Sequence, residues 1–366
     1  MALSLVTAGE SHGPALLAVI TGLPAGLALD RAAIDHDLWR RQQGYGRSPR
    51  QQIETDRVEV LTGLRHGRTI GSPLTLVVRN TDHKNWLWGM SPWPPEGEAT
   101  GKGVKPVTLP RPGHADLSAV MKYGYGDVRN ALERASARHT AANVAAGAVA
   151  KALLGTIGAT VSSVVVEVGG VQGEEAQRAA MDAARKDKDT LGGVVEVRVD
   201  GLPPGLGSYT SKDDRLDARI GWALMGIQAV KAVEVGDGLD LARRRGSAAH
   251  DEIYRDEHGF FRKTNRAGGL EAGMTDGEQL VVRCAMKPIP TLMKPLDSVD
   301  LATGEAATAL VERSDTAAVE ALAVIAEAAV AFELAAAARD KFGGDLIDDF
   351  VAAHRAYLAR IDWHRA

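Results

Sequence analysis

AAVEALAVIAEAAVAFELAAAARDKF, residues Ala317–Phe342, is the longest helical signal in the chain. Alanine and leucine are strong helix formers, and neither proline nor glycine interrupts the run. Gly343–Gly344 supply the stop, and Ser314 or Asp315 is the expected N-cap. Glu320, Glu327 and Glu333 lie near one face, which leaves an apolar face to be buried. Working outward, a second alanine-rich helix is predicted from Asn130 to Leu154, closed by Gly155. Shorter helices are predicted at Asp30–Gln43, with Asp30 as N-cap and Gly44 as the stop, and at Asp217–Val230.

Strand signals fall between these helices. Val58–Leu61, Leu74–Val78, Val161–Val168, Gly193–Val199 and Gln279–Met286 are short β-rich runs, the second bounded by Pro73 and Asn80. Neither a fixed-period repeat nor a low-complexity linker divides the chain, so residues 1–366 are read as one continuous unit of mixed strands and helices. From Asp82 to Pro112 the pattern disappears, and this span holds Trp86, Trp88 and Trp93 with many Pro and Gly. A long patternless loop inside a compact unit is usually functional or mobile.

Composition narrows the class. The 366 residues are 45% hydrophobic and 25% charged, and 43 basic against 47 acidic side chains leave a net charge of −4. That balance argues against a nucleic-acid partner, and any basic patch must be local. The single cysteine, Cys284, has no partner for a disulfide, no CxxC occurs, and no metal site is expected. The opening MALSLVTAGESHG lacks a leader pattern, and runs such as Ala152–Val166 are too short and too rich in Ala and Gly to span a bilayer. A cytoplasmic protein without a membrane partner is expected.

Four clusters carry chemistry. Arg40, Arg41, Arg47 and Arg50 stand in RRQQGYGRSPR with no acid between Asp37 and Glu54; guanidinium forks suit carboxylates and phosphates, although basic runs at helix ends also serve as solvated faces. Lys102, Lys105, Arg111 and His114 form a second cationic stretch, in which the Pro112–Gly113 turn fixes a histidine beside an arginine. Such a histidine is a candidate proton donor to an anionic leaving group. GESHG sets Ser11 beside His12, yet adjacent residues seldom form a nucleophile–base pair and the strand–turn–helix context of GxSxG is missing. Finally, RASARHTAANVAAG puts Arg134 and Arg138 four apart, on one face of a continuous helix, beside a stripe of small polar residues. No phosphate-binding P-loop, GxGxxG or HExxH motif is present. The residues by themselves point to a multiply anionic small molecule with histidines available for proton transfer.

In order along the chain these segments resemble the chorismate synthase family: GESHG (9–13), RRQxGYGR (40–47), NTD (80–82), RPGHAD (111–116), ERASAR (133–138), VAAGAVAK (144–151), LDARI through AVKAVEVGDG (216–238), DEI (251–253), NRAGG (265–269), MKPIPT (286–291) and RSD (313–315). The resemblance implies an α+β fold, a β-α-β sandwich with helices between two antiparallel sheets, assembled as a homotetramer. It implies a lyase that expels phosphate from 5-enolpyruvylshikimate 3-phosphate by anti elimination, giving chorismate on the shikimate route to aromatic amino acids. Reduced FMN is implied as cofactor, lending electron density as phosphate departs, with NADPH as an indirect reductant or a separate flavin reductase as partner.

By position, the resemblance implies that Arg41, Arg47, Arg50, Arg111 and Arg138 clamp the substrate's anionic groups. It makes His12 the partner of the departing phosphate, His114 a proton donor to the flavin ring, and Asp315 an aid to hydrogen removal. FMN contacts fall to Arg134, Ala135, Ser136, Gln228, Ala229, Ala272, Lys287, Pro288, Ile289, Pro290, Thr291 and Arg313. The family's usual SARETAxRVAAG reads here SARHTAANVAAG, with His139 and Asn143 in place of Glu and Arg; Gln228 and Ala272 also depart from the usual residues.

Overall fold

Alternating apolar positions build two four-stranded antiparallel sheets in the computed structural model, which describes residues 2–47, 55–257, 259–294, 296–311 and 315–361. The first sheet contains β1 (Ser4–Ala8), β2 (Ala15–Thr21), β3 (Val58–Thr62) and β4 (Leu74–Arg79), ordered β1-β2-β4-β3. Its register sets Leu16 opposite Val78 and Ile20 opposite Leu74. The second sheet contains β5 (Thr160–Val168), β6 (Gly193–Asp200), β7 (Val230–Val235) and β8 (Leu280–Met286), ordered β5-β6-β8-β7. On β8 the buried residues are Leu280, Val282, Cys284 and Met286, every second position, as a half-covered sheet requires.

The covered faces look inward. Eight helices matter here: α1 (Arg31–Gln42), α2 (Asp116–Tyr123), α3 (Arg129–Ala135), α4 (Thr140–Gly155), α5 (Glu174–Lys186), α6 (Leu216–Met225), α7 (Val319–Phe342) and α8 (Ile347–Arg360). Helix α4 packs on β2 and β4, α7 packs on β5 and β6, and α4 and α7 pack on each other. Helices α4 and α7 therefore lie between the two sheets, as the resemblance implied. Each fully buried Val or Leu, such as Val149, Leu153, Val330 and Leu334, contributes roughly 1.5–3 kcal/mol. A Cβ built on Gly147 would fall 2.3 Å from the Cβ of Ala328, so only glycine lets α4 and α7 approach this closely.

Helix α7 is long and apolar enough to cross a membrane by composition, but it is mostly buried inside the protein. The run Ala152–Val166 is split between the end of α4 and β5. The acids of α7 do not all mark a solvent face. Glu327 is fully buried and binds Arg40 at 2.6 Å, Lys151 at 2.6 Å and the Ser163 hydroxyl at 2.5 Å. Burial alone would push its carboxyl upward, but these partners hold it down to about 2.

Other boundaries also moved. The predicted helix Asn130–Leu154 breaks at Ser136, which is extended (φ −63°, ψ 140°) and whose hydroxyl accepts the Arg138 N–H at 3.3 Å. Arg134 and Arg138 therefore do not share a helix face. The predicted helix to Val230 stops at Met225, because Ala229 takes a positive φ of 68° and the chain enters β7. Asp30 caps α1 as expected, accepting the Ala32 N–H at 2.9 Å. Helix α7 starts at Val319, since Asp315 is ion-paired elsewhere; Ser314 lies outside the described residues.

Candidate active site

The β1–β2 turn is held from two sides. The Asn80 side-chain amide donates to the carbonyls of Glu10 (3.1 Å) and Gly13 (2.8 Å), and Arg134 donates to those of Thr7 (3.0 Å) and Gly9 (3.2 Å). This turn delivers Ser11 and His12 to a cavity of about 900 Å³, at the upper end of small-molecule sites. His12, Arg41, Arg47, Arg111, His114, Arg138 and Asp315 share its wall with Ala135, Ser136, Gln228, Ala229, Lys287, Ile289, Pro290 and Thr291. The structure thus brings together residues that lie up to 303 positions apart in the chain (His12 to Asp315).

Three predicted residues are not on this wall. Arg134 turns its guanidinium to the β1–β2 turn, Pro288 is absent from the lining, and Ala272 sits at φ 50° between the short strands Leu270–Glu271 and Met274–Thr275. Arg50 and Arg313 lie outside the described residues. The 82–112 segment contributes Asp82 and Lys102, ion-paired at 3.1 Å, to the wall, as a functional loop should.

The wall is rich in charge. Arg41 and Arg138 both bind one oxygen of the buried Asp56, at 2.7 and 2.6 Å, and Arg47 binds Asp315 at 2.7 Å. Burial pulls the guanidinium pKa values of Arg41 and Arg47 below normal despite these partners. For both residues the buried Nε–H meets no acceptor among the described residues. Buried donors rarely stay unsatisfied, so these two Nε–H groups mark a wall held under electrostatic strain, with more cationic hydrogen-bonding capacity than its own acids use. Ile227, Met286, Ile289, Leu322 and Ile325 add apolar surface to the same lining.

Both histidines rest on buried carboxylates. His12 Nδ1 lies 2.9 and 3.0 Å from the two oxygens of Glu133 on α3. His114 Nδ1 lies 2.5 Å from Asp116 at the start of α2, and Asp116 also accepts from Arg111 Nε at 2.9 Å and from the Arg111 N–H at 3.0 Å. Burial would raise both carboxyls; hydrogen bonds from His114 and Arg111 outweigh it at Asp116, and His12 and Ser11 outweigh it at Glu133, so both sit below the usual range. The Ser11 hydroxyl donates to Glu133, and its 3.3 Å approach to His12 is to Nδ1, the nitrogen already engaged by Glu133, so the hydrolase reading finds no base for the serine.

Comparison with known proteins establishes the family. The sequence model of chorismate synthase matches residues 3–338. The chain belongs to the chorismate synthase family. It is 54% identical to the chorismate synthase of Trichlorobacter lovleyi, with 97% of this chain and 98% of that one covered, and 52% identical to that of Symbiobacterium thermophilum with the same coverage. A crystal structure of chorismate synthase superposes with a TM-score of 0.78 at 36% identity over 99% of both chains. It is therefore a carbon–oxygen lyase of the shikimate pathway.

Two positions that depart from the family pattern meet in space. The Gln228 amide nitrogen lies 3.1 and 3.2 Å from the ring nitrogens of His139, whose Nδ1 is 2.9 Å from the Ser136 carbonyl. Burial, with Arg134 and Arg41 nearby, pushes the His139 pKa down and favours the neutral ring. Sequence reading missed Asp56, Glu133 and Asp116 as site residues. Asp116 was signalled by its place two residues after His114 and Glu133 by its place at the head of ERASAR, although neither motif named its partner; Asp56 had no local signal, because its partners come from distant segments.

Proposed function

We propose that this cavity binds 5-enolpyruvylshikimate 3-phosphate beside reduced FMN and releases phosphate to form chorismate. The observation that carries the reading is the convergence of Arg41, Arg47, Arg111, Arg138 and both histidines on the wall of one cavity. A substrate with two carboxylates and a phosphate satisfies such donors, and charge-assisted bonds of this kind contribute roughly 1.5–3 kcal/mol each.

The donor set also suits a flavin. The apolar surface made by Ile227, Met286 and Ile289 would take a flat ring system, and the buried Gln228 Oε1, without a donor among the described residues, is a ready acceptor for a ring N–H. Ala135, Ser136, Ala229, Lys287, Ile289, Pro290 and Thr291 would hold the remainder, the last segment being fixed by Lys287 Nζ to the Gly113 carbonyl at 2.5 Å and by Thr190 to the Ile289 carbonyl at 2.9 Å. When bound, reduced FMN supplies electron density to the substrate ring as phosphate departs and recovers it as hydrogen is lost.

The protein's own groups do the rest. Arg41, Arg47, Arg111 and Arg138 bind and orient the anion, with Arg50 and Arg313 assigned by the family pattern. His12 gives its proton to the leaving phosphate. His114, braced by Asp116, holds a proton on the wall assigned to the cofactor. Asp315 keeps Arg47 in place and stands where the hydrogen is lost. The reading includes a cytoplasmic location, a homotetramer formed from chains that each act as one unit, and reduction of the flavin by a separate enzyme.

The test is anaerobic incubation of the purified chain with the phosphorylated substrate and chemically reduced FMN, following chorismate and inorganic phosphate. Stoichiometric formation of both is expected. Equal conversion without FMN, or none with it, would overturn the reading.

A further inference from the structure

We infer that Glu133 is the positioning residue for His12: it takes the Nδ1–H, fixes the ring plane, and leaves Nε2 as the nitrogen that serves the leaving phosphate. This rests on the reading of His12 as proton donor and adds a residue to it.

The contacts converge on one carboxylate. Oε1 and Oε2 of Glu133 lie 3.0 and 2.9 Å from His12 Nδ1, and Oε2 also accepts the His12 backbone N–H at 3.0 Å and the Ser11 hydroxyl. The Glu133 carbonyl accepts the Ser11 N–H at 3.1 Å, so side chain and main chain of one residue grip the same dipeptide. The Glu133 side chain is only 2% exposed, and a buried carboxylate of this kind is costly unless fully paired. Arg129, one helical turn earlier, completes the pairing at 3.4 Å. Trp86 stacks on the imidazole at 3.9 Å between centroids and 20° between planes, and the Arg129 guanidinium lies 5.0 Å from the Trp86 ring centroid. Glu133 limits rotation in the ring plane, and Trp86 limits tilt out of it.

The chemistry balances. With protons on both nitrogens, His12 passes the Nε2 proton to a phosphate oxygen as the carbon–oxygen bond breaks and its electron pair leaves with phosphate, while the electron pair of the ring C–H bond that loses hydrogen enters the new diene. The ring ends neutral with Nδ1–H still on Glu133. A carboxylate on the far nitrogen favours this tautomer and stabilises the charged ring, the arrangement known from other histidine–carboxylate pairs.

The experiment uses full-length Glu133→Gln, Glu133→Asp, His12→Asn and the double variant Glu133→Gln/His12→Asn, assayed with reduced FMN. Glu133→Gln should lower kcat by about ten- to a hundredfold, the range for outer-shell partners of a working histidine, with KM nearly unchanged. Glu133→Asp should recover part of the loss. In the His12→Asn background, Glu133→Gln should add little further loss. In protein carrying ¹⁵N-labelled histidine, neutral His12 should be the Nδ1–H tautomer in the parent and a mixture in Glu133→Gln. Equal losses with and without His12, or an unchanged tautomer in Glu133→Gln, would overturn the inference. Should Glu133→Gln not fold, the Glu133→Asp tautomer and kcat decide in the same way. Full turnover by His12→Asn would instead remove His12 from the mechanism, while the tautomer measurement would still judge Glu133.

Discussion

His12 and His114 are braced by the same chemistry and assembled in opposite ways. His114 finds Asp116 two residues along the chain, inside a turn that Arg111 closes. His12 finds Glu133 across 121 residues, and only after β1, β2 and α3 have packed. The local pair is a property of a short peptide held by its own arginine. The distant pair is a property of the whole fold, and it also reaches the 82–112 segment through Trp86. Perturbing the fold should therefore disturb His12 before His114.

The comparison is sharpened most by a buried carboxylate with no histidine. Glu327→Gln breaks the pairing with Arg40 and Lys151 and should cost about 3–5 kcal/mol in urea unfolding, with turnover unchanged where the variant is folded. The sign with pH is fixed: the folded Glu327 carboxyl sits at about 2 against an ordinary 4.5, so its contribution is complete above about 4.5 and is lost as pH falls towards 2. Glu327→Gln should remove that part of the acid dependence. A variant with normal stability and poor turnover would show that burial, rather than pairing to a histidine, sets the pattern.

Next in size, Asp116→Asn should lower turnover roughly a hundredfold, the low end of proton-transfer contributions, while FMN binding measured by fluorescence titration persists. Loss of flavin affinity instead would make Asp116 a scaffold for Arg111. Smallest, Trp86→Leu removes one stacked ring and should cost about 0.5–1.5 kcal/mol, a few-fold in turnover. The His12 ¹⁵N signals should broaden or shift in this variant and those of His114 should not. Movement of both would erase the distinction between the two braces.

The sequence was most legible where structure is local. The helix starting after Asp30, the alanine-rich α7 and the strands β4, β6 and β8 follow directly from propensity and periodicity, and Asp116 stands in the same motif as His114. What the residues did not reveal depends on tertiary partners. Ser136 breaks a helix whose composition favours continuity, because its own hydroxyl competes for the backbone. Glu327 lies on the polar stripe of α7 and yet is buried, because Arg40 and Lys151 arrive from α1 and α4. Asp56 gained its meaning only when Arg41 and Arg138 converged on it. The shared cavity and the layered arrangement came from family resemblance, since no single segment encodes them.

The missing side chain at Gly147 reaches further than local packing. Thr140, at the head of α4, and Ala318, Ala321 and Leu322, at the head of α7, form parts of the same cavity wall. The separation of those two heads is gauged by how closely the helix axes run at residues 147 and 328. The bore of the cavity is thus calibrated about two turns along α4 from Thr140, by a hydrogen atom where every other amino acid would insert carbon.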